Sequence, residues 1–148
     1  MSQLTTGSFR TRSTGVALPV SIVSAAIVSV ALDAVIAAVA HGAGASDEFP
    51  PLMLPAYTFL SVLGLLIGGI AWAVVRAKAA NPAGFLRIGV PIVVLVSFVP
   101  DIMTGISKAQ PGTTWGAVAA LMVMHIVVAA VGVAAFNYFM PVRQTDQA

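Results

Sequence analysis

LPVSIVSAAIVSVALDAVIAAVA, residues 18–40, is 23 residues long and carries one charged side chain, Asp33. A hydrocarbon core is crossed by about 20 helical residues, so this stretch reads as a membrane-spanning helix. A soluble surface helix would keep one charged face, and none is present here. Three further stretches share the character: 54–75, 86–106 and 114–139. The rest of the chain is short connections and two polar tails, 1–15 and 142–148.

Composition agrees. Hydrophobic residues make up 59% of the 148, charged residues only 8%, and the mean hydropathy is +1.00. Soluble domains carry about 25% charged residues, so this surface is one that lipid must cover. The expected fold is all-α, a bundle of four transmembrane helices forming one membrane domain over residues 1–148. A plasma-membrane, multi-pass location follows. The first stretch also resembles a signal peptide, with Arg10 and Arg12 ahead of it and Ala38-Val39-Ala40 near its end. It is longer than the roughly 7–15 residues of a signal core, and is read as an uncleaved helix.

Charge placement predicts orientation. Arg10, Arg12, Arg76, Lys78, Arg87 and Arg143 fall on one side of a four-pass chain, and Lys108 alone on the other. Basic residues accumulate on the cytoplasmic side, so both termini are expected inside. Pro19 and Pro55 are read as lying near helix starts, where a missing N–H is harmless. Asn81-Pro82 is read as the start of the third helix, Gly42-Ala43-Gly44 as the end of the first, and Gln110-Pro111-Gly112 as the last turn. Tyr57, Trp72, Trp115, Tyr138 and Phe139 are read as interface aromatics.

Small residues mark expected packing faces, because helices in lipid associate through close backbone approach. The second stretch offers Ser61, Gly64, Gly68 and Ala71, with GxxxG spacing between Gly64 and Gly68. Ser21, Ala25, Ser29, Asp33, Ala37 and His41 form a four-residue ridge. Such ridges serve contacts within the chain or a seam between two copies. The partners expected are lipid and a homodimer or larger membrane complex; a net charge of +2 gives no reason to expect nucleic acid.

The chemistry lies in three ionisable residues inside the spans. At about 1.5 Å per residue, Asp33 and Asp101 fall about 6 Å outward of their helix midpoints and His125 about 3 Å outward. Sharing one level, they are expected to meet inside the bundle, where carboxylates and an imidazole can exchange protons. Ser29, Ser97 and Thr104 lie one turn from the acids as hydrogen-bond donors. Lys108 lies two turns beyond Asp101, and Pro100 is expected to free the Val96 carbonyl for a polar partner. The same cluster also suits a purely structural role, locking the helices together.

Several classes fall away. The chain has no cysteine, which excludes disulfide relays and cysteine-ligated iron–sulfur clusters. No HxxxH or ExxH spacing supports a metal at Asp33, Asp101 and His125, and His41 is too distant from His125 to share a haem. No metal or cofactor is therefore expected. His41, Asp47 and Glu48 are read as a solvated acidic loop. No nucleophile motif or phosphate loop occurs, so nothing nominates an enzyme.

The Pro100-Asp101-Ile102 stretch at the end of the third helix, followed by ALMVMHIVVAAVGV at 120–133, resembles a family of small four-helix membrane proteins common in actinobacteria. That family is of unknown function. The resemblance implies an intact four-pass unit with Asp101 and His125 as its distinctive residues, and implies no activity.

Overall fold

In a computed structural model the described residues are 14–142, and they form four long helices. These are α1 (Thr14–Gly42), α2 (Leu54–Lys78), α3 (Pro82–Ser107) and α4 (Trp115–Phe139), with one 3-10 turn, Pro50–Leu52, before α2. All four are long and apolar enough to cross a membrane. Lipid offers no partners for backbone N–H and C=O groups, so each segment closes its own hydrogen bonds as a helix.

Helix ends follow local chemistry. Asn81 Oδ1 accepts the Gly84 N–H at 2.9 Å and Thr114 Oγ1 accepts the Ala117 N–H at 3.1 Å, capping α3 and α4. Beyond α1, Gly44 takes φ +97°, and Lys108 ends α3 in the left-handed region at φ 48°. Asn81→Ala is expected to lower stability by about 1 kcal/mol, the worth of a cap, read from reversible unfolding in mixed micelles.

One expected boundary moves. Pro19 lies inside α1, five residues after its start, rather than in its first turn. A proline there removes the donor to the Gly15 carbonyl. Gly15 is exposed, so that carbonyl is open to its surroundings and the helix runs on through it. The expected tail boundary at residue 15 shifts accordingly. Arg10, Arg12 and Arg143 lie outside the described residues. Arg76, Lys78 and Arg87 share one end of the bundle, at the close of α2 and the start of α3, while Lys108, Asp47 and Glu48 are at the other.

The helices run alternately up and down. α1 packs most extensively on α4 and then on α2, and α2 also meets α4, so these three form a mutually packed trio. α3 leans on α4 and only lightly on α2. The four-residue ridge of α1 is the buried one: Ser21, Ala25, Ser29, Asp33 and Ala37 all point inward. By contrast α3 buries only Pro82, Asp101 and Gly105.

Close approach occurs at different glycines from those expected. A methyl group on Gly69 would stand 3.0 Å from Ile22 Cγ1 and 3.2 Å from Leu18 Cδ1, so α1 and α2 meet there. One on Gly132 would stand 2.9 Å from Leu65 Cδ2, where α4 meets α2. Gly64 has nothing within 4 Å, and Gly68 meets only Phe136 at an ordinary 3.7 Å. The Gly64–Gly68 ridge is therefore not where this chain's own helices come closest.

Two apolar clusters fill the bundle. At the end carrying Arg76 and Arg87, Ala17, Ile22, Ala25, Leu65, Trp72, Phe136 and Met140 pack together. At the other end Ala37, Phe49, Leu52, Tyr57, Ala117, Leu121 and Met124 form a second cluster, which draws the α1–α2 connection inward. Tyr57 and Trp72 are thus core residues rather than the interface anchors expected. Trp72 hydrogen-bonds, Nε1 to the Met140 carbonyl at 3.1 Å, so its one donor is satisfied inside. Trp115 and Tyr138 remain exposed.

Candidate functional site

Between the two apolar clusters lies a polar layer to which every helix contributes. α1 supplies Ser29 and Asp33, α2 supplies Ser61, α3 supplies Asp101 and α4 supplies His125. Asp33 and Ser29 are both 0% exposed and Asp101 is 8% exposed. A polar layer at such depth is costly unless its members find partners, and here they find some.

Asp33 is held by Ser61, whose hydroxyl donates to Oδ2 at 2.6 Å. Its other oxygen, Oδ1, has no hydrogen-bond partner among the described residues, and neither has the Ser29 hydroxyl one turn earlier on the same face of α1. The buried hydroxyl of Thr58, one turn before Ser61 on α2, is likewise unpaired. Asp33 stands within electrostatic reach of His125.

Asp101 pairs with His125, Oδ2 lying 3.1 Å from Nδ1. The same Nδ1 lies 2.9 Å from the Leu121 carbonyl, one turn back on α4. A carbonyl can only accept, so Nδ1 carries a hydrogen and gives it to Leu121. Asp101 Oδ2 then sits beside the N–H axis, close in distance but short of a directed hydrogen bond. The pair is an electrostatic contact with room to tighten. Because Nδ1 is the donor, Nε2 is the atom that takes up or releases a proton. The ring is half-buried and meets the edge of Phe98, centroids 6.3 Å apart.

The structure thus brings Asp101 and His125 into contact and seats Asp33 with Ser61 in the same layer. Expected donors differ. Ser97 donates to the Val94 carbonyl at 2.7 Å and Thr104 to the Pro100 carbonyl at 2.9 Å, so both serve their own helix and not Asp101. Short hydroxyls in a helix commonly bond back one turn in this way. Pro100 lies inside α3 as expected, but no described side chain donates to the Val96 carbonyl. Lys108 is an exposed residue closing α3 in the left-handed region, with no ion pair to Asp101 or to any other described residue. In the α1–α2 connection, His41 Nε2 lies 3.7 Å from an Asp47 carboxylate that is 97% exposed, so solvent screens that contact.

Ser61 is the partner that sequence reasoning placed elsewhere, on a packing ridge. Counting depth down from the outer end of α2 places it at about 10 Å, against about 13 Å for Asp33 counted from the end of α1. That near-match was a usable signal.

The model of a family of unknown function, DUF6069, matches residues 13–141. The chain belongs to this family. The matched segment begins one residue before α1 and ends two residues after α4, so the DUF6069 unit contains all four helices and the whole polar layer. No curated protein and no solved structure matches the chain.

Proposed function

We propose that this multi-pass membrane protein binds or conducts protons, or a small proton-coupled solute, through the layer of Asp33, Asp101 and His125. We place it in the plasma membrane with both termini cytoplasmic, following the basic residues at one end of the bundle. The observation that carries the reading is the unsatisfied state of that layer. An ionised Asp33 that accepts one hydrogen bond in a fully buried site bears a desolvation cost its single partner does not offset. A proton, or a small guest that donates to Oδ1 and Ser29, relieves it. His125 adds a group that ordinarily exchanges protons near neutral pH, with Nε2 left for the task.

The test uses purified protein in liposomes loaded with a pH-sensitive dye. Asp101→Asn and His125→Gln are each expected to slow proton or proton-coupled flux roughly ten-fold, the effect of about 1.4 kcal/mol on a barrier. Circular dichroism and gel filtration should show both variants folded. Folded variants with undiminished flux would overturn the reading.

A second reading has its own observation. α3 buries three residues, and Asp101 is the polar one among them. Its contact with His125 therefore serves as the tie that holds α3 on α4, as in a structural or accessory subunit of a membrane complex. Variants that lose α3 docking with no flux to lose would support that role.

A further inference from the structure

A groove of about 470 Å³ runs between α3 and α4, lined by apolar side chains that include Val94, Leu95, Phe98, Ala129 and Ala130. It exists for local reasons. Ala129 and Ala130 present little bulk, and Pro91 on the facing helix cannot close its own backbone ladder. At one end the groove stops at Phe98, whose ring meets His125 beneath the Asp101 pair. At the other, the stripe of Phe98, Val94 and Pro91 continues at helical spacing to Arg87.

Arg87 is exposed and has no ion pair among the described residues. Arg76 and Lys78 stand at the same end of the bundle, and no acidic residue among the described ones does. Helical side chains lean toward the helix N-terminus, so Arg87 reaches away from the groove toward the level of the membrane surface. An apolar groove with the exposed Arg87 guanidinium at its mouth is complementary to one kind of molecule. We propose that this groove holds an acyl chain of an anionic phospholipid whose phosphate headgroup pairs with Arg87.

A phosphate suits guanidinium because two N–H donors meet two oxygens side by side. The apolar groove wall supplies van der Waals contact along the chain but no headgroup preference. The two parts of the site are thus separable. Arg87 sets which lipid binds, and groove volume sets whether any lipid binds.

The experiment is native mass spectrometry of delipidated protein given phosphatidylglycerol or phosphatidylcholine with identical chains. The intact chain is expected to retain phosphatidylglycerol roughly five-fold more readily, the effect of one basic residue at a membrane surface. Arg87→Gln should bring the two lipids level by lowering phosphatidylglycerol binding the more, because the phosphate of phosphatidylcholine is already offset by its own choline cation. Ala130→Phe should remove both lipids, and Leu95→Trp, which fills the groove from the α3 side, should do the same. Both positions are exposed, so the bundle tolerates the added bulk. The proposal is overturned by a headgroup preference that survives Arg87→Gln, by one that Arg76→Gln removes as fully, or by lipid retention that neither groove-filling variant lowers.

Discussion

Gly69→Leu is expected to destabilise the bundle by about 3 kcal/mol, while Gly64→Leu on the same helix changes stability by less than about 0.5 kcal/mol. The difference comes from space alone. A first carbon on Gly69 already stands 3.0 Å from Ile22 Cγ1, 3.1 Å from Ile22 Cδ1 and 3.2 Å from Leu18 Cδ1. Those are side-chain atoms, two of them terminal methyls, and they can shift slightly for an alanine. Three further carbons have nowhere to go, because Leu18 and Ile22 are packed in the cluster with Trp72 and Phe136. In lipid no hydrophobic gain repays the separation of α1 from α2, since acyl chains are as apolar as leucine. Gly64 faces open space, so a leucine there meets only lipid. Unfolding in mixed micelles reads both values. Equal losses at the two sites would refute the assignment of the helix contact to Gly69. If the protein purifies as a dimer that Gly64→Leu dissociates, the exposed glycine ridge serves contact between copies.

Much of the fold was legible because hydropathy and end signals are local. Four apolar stretches announced four helices, and Asn81-Pro82 announced the start of α3. Rotation about a helix axis is not local in this sense. Gly64, Gly68 and Gly69 lie within one short segment, and 100° of rotation separates the last two, so spacing alone does not say which faces α1. Tyr57 and Trp72 were misplaced for the same reason: depth suits an interface aromatic, but their faces point inward. In the polar layer, depth did bring Asp101 and His125 together. Ser97 and Thr104 misled because a hydroxyl has an acceptor one turn back in its own helix, and that contact needs no folding of the chain. Ser61 was not matched to Asp33 because serine on an apolar helix reads first as a small packing residue.

The decisive comparison is between Ser61→Ala and the double variant Asp33→Leu/Ser61→Ala. The single change removes the one side-chain hydrogen bond that Asp33 receives among the described residues and leaves a fully buried carboxyl group with no donor there. Such an orphan costs about 1–3 kcal/mol. Average interhelical hydrogen bonds in membranes are worth only about 0.6 kcal/mol, because unfolded helices also find partners. Asp33 belongs at the upper end of the range, since its second oxygen is already unpaired. The double variant puts two methyl groups where the carboxylate oxygens were and removes the serine hydroxyl, leaving only the Cβ methyl of alanine. Removing both members of a buried polar pair is often neutral or stabilising, so most of the lost stability should return. If the layer exists to hold the helices in register, the double variant instead stays as unstable as Ser61→Ala or worse. If it exists to handle protons, the double variant is at least as stable as the natural chain and carries no flux. Measured together in micelles and liposomes, stability and flux then move in opposite directions, which a structural lock cannot produce.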